Sequence, residues 1–213
     1  MILLDNRELR FPDLKYTDED GALAYGGDLS EERLLLAYKS GIFPWFSGNV
    51  PVWYAPDPRF VLFPEELNIS KSMKVLLKRQ TFEITINRDF PSVIRACKTT
   101  KREGQYGTWI TREMERAYIR LHKSGWAHSV EAWSDGQLVG GLYGIRIRGV
   151  FFGESMFSHL SNASKYAFIT FVQQLKTEGV SLVDCQVYTE HLESLGARHI
   201  PRDEFMSMIN ALC

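Results

Sequence analysis

Val150-Phe-Phe-Gly-Glu-Ser-Met-Phe157 is apolar and aromatic except for one carboxylate, Glu154, and one serine. It reads as a buried strand. A buried carboxylate without a partner is costly, so Glu154 should meet a partner or a ligand. Gly153, inside the strand, marks a bulge or a close backbone approach. The other reading is a Glu paired with a neighbouring Arg at a solvated sheet end, and the stretch alone leaves both open.

Working outward settles the fold class. His128 to Trp133, the turn Ser134-Asp135-Gly136, Gln137 to Arg146, the turn Arg148-Gly149 and Val150 to Phe157 form a three-stranded antiparallel meander. After it, Asn162 is placed to cap a helix over Ala163–Glu178 that Gly179 ends, and Leu182–Val187 is a short buried strand. Strand, helix, strand is a parallel crossover, right-handed by default. Joined to the meander it gives an α+β (mixed α/β) sheet layered with helices.

Upstream, Gly21 to Gly27 reads as a loop. Ser30 caps a helix with Glu31 and Glu32 at its positive end, Leu34, Leu35 and Tyr38 on its apolar face, and Gly41 at its stop. Gly41-Ile-Phe-Pro-Trp-Phe46 and Trp53-Tyr-Ala-Pro-Asp-Pro-Arg59 are aromatic, Pro-interrupted and non-periodic, which argues against simple strands or helices. They either plug a small core or wall a pocket. Regular elements begin after them, so a boundary is expected near residue 60, between a small unit, 1–60, and a larger one, 61–213. Ser70 caps a helix whose Lys71, Lys74 and Lys78 share one face. With Arg79 they are candidates for phosphate contacts or merely a solvated face. Phe82–Ile86 alternates as a strand, Asp89 caps a helix through Lys98, and a polar loop to Tyr106 adds Lys101 and Arg102. Thr111 caps a helix with Met114, Ala117, Tyr118 and Leu121 in period. A short helix near His191–Leu195 and a last helix from about Asp203 close the chain.

Composition narrows the function classes. The chain has 213 residues, 45% hydrophobic and 24% charged, with net charge −1. That is ordinary for a soluble globular protein, and a nucleic-acid partner must be met by a local basic patch. Three cysteines without a CxxC spacing argue against a disulfide framework or a zinc site. The first residues lack the pattern of a secretory leader, and no run approaches a membrane span, so a cytoplasmic protein is expected.

On the strand Leu182–Val187, alternation puts Asp184 and Gln186 on one face, ~6–7 Å apart, and Cys185 on the other. If the crossover makes this strand the neighbour of Val150–Phe157, then Asp184, Gln186 and Glu154 converge. Such a cluster could orient and deprotonate an amine, or it could be a hydrogen-bonded network that specifies strand pairing.

Taken together, Gly26-Gly-Asp-Leu-Ser30, Gly41-Ile-Phe-Pro-Trp-Phe46, Pro56-Asp-Pro-Arg59, Gly107-Thr-Trp-Ile-Thr111, His128-Ser-Val-Glu131, Leu138-Val-Gly-Gly141, Phe152-Gly-Glu-Ser-Met-Phe157, Asn162-Ala-Ser-Lys165 and Asp184-Cys-Gln186 resemble the bacterial leucyl/phenylalanyl-tRNA–protein transferase family along nearly the whole chain. The resemblance implies transfer of Leu or Phe, and Met less well, from aminoacyl-tRNA to the N-terminal Arg or Lys of acceptor proteins, making an N-degron for degradation. It implies that the small N-terminal unit is an α/β domain and the second an N-acyltransferase (GNAT-like) domain with a mixed sheet. It also implies Trp45, Trp109 and Glu154 as contacts of the aminoacylated 3′ end, and Leu142, Met156 and Phe171 around the Leu or Phe side chain. Position 142 carries Met in other members. Asp184 and Gln186 match the pair assigned to activating the amine. An aminoacyl ester is already activated, so no metal or cofactor is expected, and a monomer is the default. The rival enzyme is a CoA-dependent acetyltransferase, which wants a Gly-rich pyrophosphate loop where this chain has Ser158-His-Leu-Ser-Asn162. The non-enzymatic rival, an RNA-binding module, leaves Glu154, Asp184 and Gln186 without a task.

Overall fold

The computed structural model describes residues 1–100 and 109–213. The phosphate candidates Lys101 and Arg102 and the motif residues Gly107 and Thr108 lie outside the described residues. In chain order the elements are β1 (Ile2–Leu4), β2 (Ala22–Gly26), α1 (Glu31–Lys39), β3 (Phe43–Pro44), β4 (Val52–Tyr54), β5 (Arg59–Leu62), α2 (Lys71–Lys78), β6 (Glu83–Ile86), α3 (Phe90–Thr99) and α4 (Arg112–Lys123). They continue with β7 (Ala127–Ser134), β8 (Gln137–Ile147), β9 (Val150–Ser158), α5 (Ala163–Thr177), β10 (Leu182–Gln186), α6 (Glu190–Glu193), β11 (Arg198–Ile200) and α7 (Arg202–Leu212).

The helix starts follow side-chain chemistry. Ser30, Ser70, Asp89 and Thr111 each accept a hydrogen bond from the backbone N–H three residues on, satisfying a donor that the helix leaves unpaired. Asn162 differs from expectation. It takes a left-handed conformation, φ 66°, and its side chain makes no cap bond. The Ser158 hydroxyl caps instead, accepting from Ser164 N at 3.2 Å.

Two sheets organise the chain. A four-stranded sheet runs β1-β2-β4-β3, and a seven-stranded sheet runs β11-β5-β10-β9-β8-β7-β6. The predicted meander is β7-β8-β9, and β10 pairs parallel with β9. The fold is mixed α+β. Three sequence expectations are corrected. Gly21–Gly27 is mostly the strand β2, and the aromatic segments contain β3 and β4, paired at Phe43↔Tyr54 and Pro44↔Trp53. Pro44 is tolerated because β3 is an edge strand, where a missing N–H costs no ladder bond.

The large sheet is packed on both faces. One layer joins Phe152, Ile145 and Val150 to Tyr38, Val93, Tyr118 and Phe205 of α1, α3, α4 and α7, and runs on into Leu23 and Trp53 of the small sheet. The other joins Phe151, Val130 and Val183 to Met73 of α2 and to Ala167, Ile169 and Val172 of α5. Among the described residues no helix is long and apolar enough to cross a membrane.

The site is placed by a parting of strands. β9 and β10 pair at Leu182↔Val150, Val183↔Phe151 and Asp184↔Phe152. Beyond that register both strands line one cleft, with Gly153–Ser158 on one side and Cys185–Val187 on the other.

Candidate active site

The cleft has a volume of about 500 Å³. Its floor is Glu154, 9% exposed, and it draws on four elements. Tyr38 arrives from α1, and its hydroxyl donates to Glu154 Oε1 at 2.6 Å. Tyr118 arrives from α4, and its hydroxyl donates to Oε2 at 2.8 Å; the two hydroxyls lie 2.5 Å apart. Gln186 Nε2 on β10 donates to Oε1 at 2.9 Å. Burial pushes the Glu154 carboxyl up to about 7, against the hydrogen bonds from Tyr38, Tyr118 and Gln186 that favour its anion. Burial also pushes the phenols of Tyr38 and Tyr118 well above their ordinary range.

Asp184 is satisfied differently. Its carboxylate accepts from Arg59 Nε at 2.8 Å and Nη2 at 2.7 Å, and from the backbone N of Gln186 at 2.9 Å. Arg59 and Asp184 are 1% and 0% exposed. The guanidinium lies between the rings of Phe43 and Phe205, 4.7 Å from each centroid. The simple alternation expected across Asp184 and Gln186 is interrupted, because the pairing of β10 with β5 shifts register there. Gln186 itself takes φ 66°, a costly conformation for a non-glycine residue, and its contact with Asp184 holds it there. The result keeps Gln186 pointed at Glu154.

The predicted residues sort plainly. Trp45, Trp109, Leu142, Glu154, Met156, Asp184 and Gln186 all line the cleft. Trp45, 38% exposed, leans edge-on against Tyr54 at 5.5 Å. Phe171 packs edge-on against Phe151, ring centroids 4.9 Å apart, and Phe168, nearly one helical turn earlier on α5, lines the cleft. Lys71, Lys74, Lys78 and Arg79 are all exposed on α2. Cys185 is buried, and burial pushes its thiol well above the ordinary range, the opposite of an activated nucleophile. The motif acid Glu131 stands apart, accepting from Thr85, Ser129 and the backbone N of Arg88 and Asp89 at the start of α3. Among the described residues no group of three or more His, Cys, Asp or Glu is placed to hold a metal. Sequence reasoning missed Tyr38, Tyr118 and Arg59 as neighbours of the site. The two tyrosines had signalled only as members of apolar helix faces.

The fold and cleft define a class: a mixed α+β enzyme whose pocket, opened between two parting strands, offers an apolar wall, an indole rim and one buried carboxyl. The particular family follows from comparison. The chain belongs to the leucyl/phenylalanyl-tRNA–protein transferase family, a family of aminoacyltransferases. The description "Leucyl/phenylalanyl-tRNA protein transferase" matches residues 61–210, and that of the family's N-terminal domain matches 27–57. The chain is 58% identical over 206 residues to the leucyl/phenylalanyl-tRNA–protein transferase of Flavobacterium johnsoniae, covering 96% of this chain and 97% of that one. It is 56% identical over 200 residues to that of Syntrophus aciditrophicus, covering 93% and 84%. Among solved structures, a GCN5-related N-acetyltransferase from Anabaena variabilis overlays with a TM-score of 0.46 at 9% identity, over 83% of this chain and 42% of that one. A likeness that loose carries no argument.

Proposed function

We propose that the protein transfers Leu or Phe, and Met less well, from aminoacyl-tRNA to the N-terminal Arg or Lys of acceptor proteins, forming a peptide bond. The observation that carries this reading is the composition of one cleft. Trp45 and Trp109 stand with an apolar wall of Leu142, Met156 and Phe168, and Glu154 is the polar floor. The indoles suit stacking of the terminal adenosine. The wall suits a Leu or Phe side chain, with modest discrimination per methylene, so Met is a slower substrate. Glu154 anchors the aminoacyl end by hydrogen bonding.

The chemistry asks for orientation more than activation. The acceptor's α-amine attacks the ester carbonyl, the carbon–oxygen bond to the ribose breaks, and the amine's proton is balanced by one gained at the ribose oxygen. Asp184, tied to Arg59 and to the Gln186 N–H, orients Gln186 in this reading and does not take the amine's proton. Gln186 holds the incoming amine through its amide carbonyl. Lys71, Lys74, Lys78 and Arg79 hold the tRNA body by phosphate contacts. No cofactor is needed for an ester already activated. We read the chain as a cytoplasmic monomer that marks proteins for N-degron degradation. Its two units would be 1–60 and 61–213, a division supported by the break between sheets at Tyr54 and Arg59.

One assay tests the reading: labelled leucyl-tRNA or labelled acetyl-CoA, with a peptide beginning in Arg. Label is expected in the peptide from leucyl-tRNA. Label from acetyl-CoA alone would sink it.

A further inference from the structure

The hydrogen bonds around Glu154 can be counted in protons. Tyr38, Tyr118 and Glu154 make a closed triangle of oxygen–oxygen contacts, 2.6 Å, 2.8 Å and 2.5 Å. Each contact needs one proton between its oxygens. Two phenols supply two. With Glu154 ionised, one side of the triangle would press two oxygens together with nothing between them, inside a buried site where an unmet contact is costly. With Glu154 protonated there are three protons for three contacts: one phenol still donates to the acid, the other accepts from its O–H, and the two phenols share the third proton. Gln186 Nε2 then donates to Oε1 from outside the ring.

We propose that Tyr38 and Tyr118 are positioning residues whose mutual contact closes a three-proton ring in which Glu154 is the neutral carboxylic acid, so that the cleft floor engages an amine-bearing substrate by hydrogen bonding without a negative charge. The proposal rests on the transferase reading above and deepens it. Peptide-bond formation needs a neutral amine, and a buried carboxylate would favour the ammonium form of any amine brought to it. A neutral acid at the same position anchors the aminoacyl end and leaves the nucleophile free of that trap.

The surroundings agree. The titratable or polar groups that face Glu154 among the described residues are Tyr38 of α1, Tyr118 of α4, and Gln186 and Asp184 of β10. Tyr143 of β8 faces both phenols. The Arg59 guanidinium is committed to Asp184. Burial raises the Glu154 carboxyl to about 7, outweighing the phenol and amide donors that favour its anion, in the direction the count requires.

Infrared difference spectra of the full chain, wild type minus Glu154→Gln, read the state directly. A carboxylic-acid C=O band is expected at about pH 6, fading toward about pH 8.5. Carboxylate bands alone at about pH 6 would overturn the ring. Transfer kinetics give a second reading. Glu154→Gln copies the neutral acid, with an amide N–H where the acid O–H stood. The ratio of wild-type to Glu154→Gln kcat/KM for leucyl transfer, in which the titration of the acceptor's own α-amine cancels, is expected to fall more than ~10-fold from about pH 6 to about pH 8.5. A variant as inactive as Glu154→Ala throughout, or one whose pH profile parallels that of wild type, overturns the proposal. Tyr118→Phe removes one proton and one contact, and must move both the band and the pH limb; if both stay put, the tyrosine is not positioning. Absence of leucyl transfer in the wild type itself would be a failure of the functional reading, and the infrared measurement decides the ring in that case too.

Discussion

Glu154 and Asp184 are buried acids on neighbouring strands, share Gln186 as a contact, and are satisfied in opposite ways. Asp184 meets a guanidinium in a two-pronged ion pair, and that guanidinium is itself packed between two aromatic rings. Glu154 meets only neutral partners, two phenols and an amide. The difference assigns the work. A carboxylate with a buried full countercharge is a fixed strut, because changing its state would strand the partner. A carboxyl met by neutral partners can exist in either state, and Glu154 is the one at the cleft floor. Gln186 joins them: its backbone is held by the strut and its side chain by the floor.

The sharpest way to break this contrast is at the strut. Arg59→Met should cost about 3–5 kcal/mol in denaturant-unfolding stability, because Asp184 is left charged and buried without its partner. Arg59→Met combined with Asp184→Leu should recover at least half of that. A single variant that unfolds at the wild-type midpoint would mean that Asp184 is not anchored by Arg59.

The next effect is on the floor. Glu154 sits at about 7 in the folded chain against 4.5 for an ordinary Glu. Between these values the folded chain keeps a proton that the unfolded chain has released. The stabilisation is therefore fully present below about 4.5 and lost as pH rises through about 7, a total on the order of 3 kcal/mol at ~1.4 kcal/mol per pH unit. Unfolding at about pH 5 and about pH 8 should show this decline in the wild type. Glu154→Gln should lack that component.

Away from both acids, the apolar wall sets selectivity. Met156→Ala should enlarge the pocket and shift the Leu-to-Phe ratio of kcat/KM toward Phe by ~10-fold, within the ~1–3 kcal/mol that one or two methylenes command. An unchanged ratio would remove Met156 from the side-chain pocket. The smallest effect is expected at α2. Lys74→Ala and Lys78→Ala should each lower the salt slope of tRNA binding by ~1 while leaving low-salt affinity nearly intact. Glu154→Ala should leave that slope alone, and a slope unmoved by either lysine would return α2 to being a solvated face.

Much of the fold was legible because its signals are local. The meander between His128 and Phe157 is written in alternation and Gly turns, and caps at Ser30, Ser70, Asp89 and Thr111 mark helix starts to the residue. The misreadings occurred where context overrides a local rule. Pro44 looked incompatible with a strand until its place at a sheet edge was known. Asn162 looked like a cap, but Ser158, four residues upstream, supplies the oxygen. That Phe168 of α5 lines the cleft while Phe171 packs on Phe151 is decided only by the helix's rotation against the sheet.

The site divides along the same line. The sequence by itself determined that Glu154 was an anomaly, an ionisable group in a buried strand, and that Asp184 and Gln186 lay on a strand able to pair beside it. Covalent spacing and side-chain period suffice for that. The tertiary structure alone decided what each acid meets. Tyr38 and Tyr118 lie 116 and 36 residues from Glu154 along the chain, and Arg59 lies 125 from Asp184. No local pattern encodes such contacts. They arise when helices and strands chosen for their apolar faces pack together, and the hydroxyls and guanidinium carried on them become partners of the acids in a medium that solvates charge poorly.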